Sequence, residues 1–259
     1  LRAWRTAYGS AIGTAHVRNG AVCQDAGCCA VVRPVDGPEI LVASVADGAG
    51  SAPQSEHGAR LAVEAFQRDF AAAAQGEAGL DAIGRDFVLQ WLADTQAAIQ
   101  TLATASGYQA KDYACTFLGA VITDQAAVYV QIGDGAIVTD DADGFRAIFW
   151  PQHGEFANST FFLTMEDAAA IIQVERRDGA VQELAMFSDG LERLVLDMTA
   201  RTVHAPALRP IFGWLASTEP APGGGPSAVV TAYLNSANVN RRTDDDKTLI
   251  MATRAPPAP

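Results

Sequence analysis

Basic residues are scarce in this sequence. Eighteen Lys and Arg stand against 30 Asp and Glu in 259 residues, leaving a net charge of −12. A surface of that sign repels a phosphodiester backbone, so no nucleic acid partner is expected. Long apolar runs are also missing. The longest, from Cys115 to Ile132, is broken by Asp124 and Gln125, short of the roughly 18 residues a membrane span needs. Nor does the chain open with a basic stretch followed by an apolar one, as a secretory leader would. The expectation is a soluble cytoplasmic protein with no membrane attachment, working as a monomer. Cysteine is limited to Cys23, Cys28, Cys29 and Cys115. Two are adjacent, and no second Cys-x-x-Cys or His pair faces them at zinc-site spacing. They read as small buried hydrophobes in a reducing compartment.

What is present suffices for a large core, since 49% of the residues are hydrophobic. Runs with strand character cover residues 27–32, 40–46, 116–123, 126–132, 136–139, 145–149, 170–175, 183–187 and 248–253. The two around Asp124-Gln125 read as a hairpin, which makes neighbouring strands antiparallel. The turn at 140–144 superficially resembles a calcium loop, but Thr139 and Trp150 occupy its first and twelfth ligand positions, so that reading fails.

Helical periodicity runs from about Gln54 to Ala74 and again from Asp81, read as an N-cap, to Ser106-Gly107. Shorter helices are expected at 191–196, 205–216 and 226–238, the last with Pro226 in its first turn. No repeat or interdomain linker is visible. One α+β domain over residues 1–253 is expected, with a disordered Pro-rich tail at 254–259.

The chemistry lies in the aspartates. Leu41-Val-Ala-Ser-Val-Ala46 runs into Asp47-Gly48, Ala127–Ile132 into Gly133-Asp134-Gly135, and Leu184–Phe187 into Ser188-Asp189-Gly190. Thr243-Asp-Asp-Asp-Lys-Thr248 leads into Leu249–Ala252. A single Asp-Gly is ordinary turn chemistry. Four aspartates at strand boundaries, three of them followed by Gly, would, if they converge, crowd carboxylates that resist ionising unless cations neutralise them. Hard oxygen ligands without Cys or His suit Mg²⁺ or Mn²⁺, and a pair of such ions serves hydrolytic phosphoryl chemistry.

Val45-Ala-Asp-Gly-Ala-Gly-Ser51, Ile132-Gly-Asp-Gly135, Phe187-Ser-Asp-Gly-Leu191 and Asp245-Asp-Lys-Thr248 together resemble, in order and spacing, the signature segments of the metal-dependent type 2C protein serine/threonine phosphatases. Cys23-Gln-Asp25 resembles that family's opening acidic motif. The resemblance spans residues 13–253 and is nearest to the compact bacterial branch. It implies an α-β-β-α sandwich of two antiparallel sheets with helices outside, and a binuclear Mg²⁺ or Mn²⁺ centre. By motif, Asp47 would bridge both ions, Gly48 would offer its carbonyl to one, and Asp189 and Asp245 would hold the other. Asp25 would support the centre, and Asp134 with Asp189 would hold a weaker third ion. A hydroxide between the ions would attack phosphoserine or phosphothreonine of a protein phosphorylated by a Ser/Thr kinase.

The chain departs from the family's pattern in several places. Gln24 stands for the usual Glu of the opening motif. Gly20 stands where a phosphate-binding Arg is usual, leaving Arg18 and His16 as substrate-binding candidates. Ala49 stands where animal members carry a His, so His16, His57 or a metal-bound water would protonate the leaving group. Gly135 replaces Ser, and Asp246 replaces Asn, either as an acid beside the metals or as a solvated loop charge. Asn158-Ser-Thr160 fits a glycosylation sequon, but without a leader it has no expected role. Two other readings share these residues: a pseudophosphatase that binds partners without turnover, and a small-molecule phosphatase with the same metal centre.

Overall fold

The computed structural model describes residues 3–34, 37–141, 144–154, 160–218 and 225–255. Strands β1 to β6 are Ala3–Ala11, Ala26–Val32, Ile40–Ala46, Phe117–Ile122, Ala126–Ile132 and Ala136–Asp141. Strands β7 to β12 are Gly144–Ala147, Gln173–Asp178, Glu183–Phe187, Leu196–Asp197, Thr202–Val203 and Lys247–Ala255. Helices α1 to α4 are Thr14–Asn19, Ser55–Gln75, Arg85–Ser106 and Ala168–Ile171. Helices α5 to α8 are Glu192–Val195, Ala205–Ser217, Gly225–Leu234 and Ala237–Asn240.

Two five-stranded antiparallel sheets, β1-β12-β9-β6-β7 and β2-β3-β4-β5-β8, lie face to face, with a small β10-β11 ribbon beside them. Between the sheets, Leu41, Val45, Leu118 and Tyr129 meet Ile137, Met186 and Ile250. On the outer face of the second sheet, α2 and α3 bury Phe66, Phe70 and Trp91 against Phe117. On the outer face of the first, α6 and α7 bury Leu208, Phe212, Leu215 and Val230. The architecture is therefore the expected four-layer α-β-β-α sandwich. Central strands β3 and β5 are buried at every position because both faces are covered, so they read as unbroken apolar runs. Edge strand β8, Gln-Val-Glu-Arg-Arg-Asp, carries the charges that discourage pairing with another chain. Among the described residues, no helix is long and apolar enough to cross a membrane.

Several expectations need correction. Strand β1 was not foreseen, yet it pairs with β12 from Ala3↔Ala255 to Ala11↔Lys247. The run at 170–175 is divided between α4 and β8, because a short apolar stretch does not by itself distinguish helix from strand. Asp81 does not cap α3; it sits in a 3-10 turn at Gly79–Ala82, and Gly84 takes the N-cap position. The helix expected at 226–238 is broken into α7 and α8, where Ser236 Oγ accepts a hydrogen bond from the Val239 amide at 3.4 Å. The boundary expected at residue 254 is not kept. Arg254 is buried under Trp4, its guanidinium 4.4 Å from the ring centroid, and residue 255 completes β12. Residues 256–259, and Asn158 of the sequon, lie outside the described residues. All four cysteines are free; Cys115 is buried and the other three are partly so.

Candidate functional site

The Asp-bearing strand ends do converge. Asp47 at the end of β3, Asp134 in the β5–β6 turn, Asp189 after β9 and Asp245 before β12 line one cleft of about 950 Å³. Gln24, Gly48, Ala49 and His16 line it with them. Asp47 is locked by its own backbone: its amide donates to Thr116 Oγ1 at 3.2 Å, and its carbonyl accepts from the Thr116 amide at 2.8 Å. Behind the lining, Asp25 Oδ2 accepts from Ser188 Oγ at 2.8 Å, and that oxygen accepts in turn from the Thr248 amide at 3.0 Å.

These carboxyls resist ionisation. Burial, then repulsion from Asp25 and Asp189, raises Asp47 well above the usual carboxylate range. Burial pushes Asp25 up to about 7 against the opposing Ser188 bond, and pushes Asp189 up to about 6. Asp47 and Asp189 act on each other, the pair raising Asp47 and opposing the rise of Asp189. Among the described residues, no three acidic, His or Cys side chains are arranged as a finished ligand shell. The carboxylates repel one another across the cleft.

The donor set nevertheless fits a hard cation. Asp25 Oδ1, Asp189 Oδ1 and Gln24 Oε1 are all buried without a hydrogen-bond partner. Buried acceptors of that kind are costly, and oxygen-coordinated Mg²⁺ or Mn²⁺ would satisfy them.

Asp246 is neither solvated nor turned toward this centre. It is buried, with Oδ1 accepting from the Gly13 amide and Oδ2 from the Gln24 amide, each at 2.6 Å. It thus ties the opening motif to the start of β12. His16 Nδ1 lies 2.9 Å from Asp246 Oδ2, but without the alignment of a hydrogen bond. The adjacent Lys247 is fully buried, its Nζ donating to Asn240 Oδ1 at 3.0 Å and the Asp245 carbonyl at 3.1 Å. Gly135 is a packing requirement: a Cβ there would come within 2.7 Å of the Phe187 carbonyl oxygen.

Two expected residues are elsewhere. Arg18 is exposed and does not line the cleft, though it pairs at 3.1 Å with Asp244, which does. His57 lies on the exposed face of α2 beside Arg60 and Glu56, away from the cleft. Other lining residues escaped the sequence reading: His153, Glu192, Arg193 and Arg242. Glu192 directly follows the Asp189-Gly-Leu motif, which could have drawn attention to it. His153 sits in an irregular segment with no periodic signal.

Comparison with known proteins bears on the family and the fold. The family profile described as "Protein phosphatase 2C" matches residues 12–233. The chain is 36% identical over 251 residues to serine/threonine-protein phosphatase 3 of Escherichia coli (strain K12), covering 96% of this chain and 98% of that one. Its fold superposes with a TM-score of 0.63 on a serine/threonine phosphatase of Staphylococcus aureus, at 13% identity, covering 97% of this chain and 95% of that one. PppA, a key regulatory component of T6SS in Pseudomonas aeruginosa, matches with a TM-score of 0.63 at 18% identity, covering 96% of this chain and 97% of that one.

Proposed function

Because this chain belongs to the protein phosphatase 2C family and is a serine/threonine-protein phosphatase, we propose that its acidic cleft removes phosphate from phosphoserine and phosphothreonine with two Mg²⁺ or Mn²⁺ ions. The observation that carries this reading is the convergence of Asp47, Asp134, Asp189 and Asp245 from four strand ends on one cleft, where the buried oxygens Asp25 Oδ1, Asp189 Oδ1 and Gln24 Oε1 have no partner. Bound ions would supply an activated water and neutralise phosphoryl charge.

The chain's own residues do the rest. Asp47, the Gly48 carbonyl, Asp189 and Asp245 would hold the ions. Asp25, fixed by Ser188, supports the centre, and Gln24 turns a neutral oxygen toward it. Asp134 with Asp189 would take a third, weaker ion. His16 faces the substrate phosphoryl group from α1, and Arg18 acts only from the rim, through Asp244. The domain runs from the first strand to residue 255 and works as a monomer on proteins phosphorylated by a Ser/Thr kinase.

Hydrolysis of p-nitrophenyl phosphate and of a phosphothreonine peptide, with and without Mn²⁺, tests the proposal. Turnover of both that requires Mn²⁺ or Mg²⁺ and disappears with chelator is expected. Full activity in excess EDTA would overturn the metal reading. Binding of the peptide without turnover would favour the pseudophosphatase, the reading that Gln24 and the glycine at position 20 support.

A further inference from the structure

His153 and Glu192 form a hydrogen-bonded pair in the cleft wall that none of the roles above uses. His153 Nε2 and Glu192 Oε1 are 3.1 Å apart; the Glu192 side chain is 11% exposed and the imidazole 40%. Their positions are fixed from two directions. Glu192 begins α5, three residues after Asp189. His153 is held by its neighbour Gln152, whose amide donates to the Gly133 carbonyl at 3.1 Å and whose Oε1 accepts from the Gly133 amide at 2.8 Å. Gln152 therefore ties the His153 segment to the turn that carries Asp134. Thr160 Oγ1 closes the arrangement by donating to the Gln152 carbonyl at 3.0 Å.

We propose that His153, oriented by Glu192, donates the proton that the leaving serine or threonine oxygen requires. The proposal rests on the phosphatase reading. In it, the water oxygen bonds to phosphorus as the bond from phosphorus to the side-chain oxygen breaks, and the released electron pair stays on that oxygen. The oxygen takes the proton from Nδ1 of the imidazolium, and solvent later restores it. The net change is monoester plus water to alcohol plus phosphate.

The Nδ1 assignment follows from the pairing, because Nε2–H is engaged by Glu192 and Nδ1 is the nitrogen left for the substrate. Glu192 is the carboxylate at Nε2, and Asp134 is the other acid near the ring. Burial raises the Glu192 carboxyl, and His153 opposes that rise. His16, the other imidazole in the cleft, lacks such support. Both oxygens of its neighbour Asp246 already accept short bonds from backbone amides, and its own contact with that carboxyl is not aligned.

The test compares two leaving groups. A serine alkoxide must be protonated as it departs, whereas p-nitrophenolate is stable as an anion near neutral pH. In His153→Gln, the ratio of phosphoserine-peptide to p-nitrophenyl phosphate turnover at saturating Mn²⁺ should fall about 30-fold or more, within the range for general acids. Glu192→Gln should lower the same ratio by less and shift the alkaline limb of the peptide pH profile to lower pH. NMR of the metal-free protein gives a readout independent of turnover: the His153 ring nitrogen resonances should move in Glu192→Gln, which changes the group at Nε2, and stay in place in His16→Gln. Equal losses on both substrates, or a selective peptide loss in His16→Gln instead, would overturn the assignment of His153. Absence of Mn²⁺-dependent turnover in the wild type would overturn the phosphatase reading, and this proposal with it.

Discussion

Asp47 resists ionising because burial and its neighbouring carboxylates make its charge expensive. Asp47→Asn preserves the shape and removes that charge, as does Asp189→Asn. Both variants should lose activity by orders of magnitude while melting at the wild-type temperature or above it without metal. Calorimetry beside a phosphatase assay checks this, and near-normal turnover in either would displace the centre. Gln24 tests the opposite change. Its Oε1 is buried and unpartnered, so Gln24→Glu adds a charge of about 1–2 kcal/mol toward a nearby cation, or about tenfold in affinity. The Mn²⁺ concentration for half-maximal rate should fall, with little change at saturation; an unchanged titration would mean that Gln24 does not face the ion. Asp47, Asp134, Asp189 and Asp245 were legible in the sequence because each interrupts an apolar strand end beside glycine or further acids. Asp246 was not, because its partners, Gly13 and Gln24, lie more than 200 residues away in the chain.

Strands β3, β5 and β9 could be read to the residue from their apolar runs, and α2 to within one, from its periodicity. Strand β1 could not. Its buried positions include Ala7, Gly9 and Ala11, small because α7 lies against it: a Cβ on Gly9 would come within 2.8 Å of the Thr231 amide. Close packing erased the hydrophobic signal that normally marks a strand. The same tightness separates elements that carry the fold from those that carry the site. A Cβ on Gly58 of α2 would reach 2.0 Å from the Tyr113 carbonyl oxygen, and one on Gly190 would reach 2.0 Å from the Asp246 carbonyl oxygen. Gly58→Ala should cost about 1–3 kcal/mol of stability and leave the Mn²⁺ requirement of the folded fraction unchanged. Gly190→Ala should lower stability and raise the Mn²⁺ requirement, because it pushes on the segment that carries Asp245. Thermal melts paired with Mn²⁺ titrations distinguish the two, and an unaltered requirement in Gly190→Ala would refute the coupling.

Across the whole molecule, the raised carboxyls link folding to pH. With Asp25 at about 7 and Asp189 at about 6, the folded protein holds protons that an unfolded chain releases near pH 4. Their contribution is therefore complete below about pH 4 and is lost as pH climbs through the folded values. The metal-free melting temperature should fall from about pH 5 to about pH 8. Added Mn²⁺, which competes with those protons, should stabilise more at the upper end. Melts in EDTA and in Mn²⁺ across that range measure both slopes, and a metal-free protein more stable at pH 8 than at pH 5 would contradict the buried cluster. The sheet order sets a further condition. Strand β12 lies between β1 and β9, so the N-terminal strand has its only partner in the described sheet at residues 247–255. A ribosome must therefore synthesise past residue 255 before the first sheet can close and Asp245 can reach Asp189. Until then the nascent chain has no assembled phosphatase site, and β1 waits with an unpaired edge through the translation of more than 230 residues.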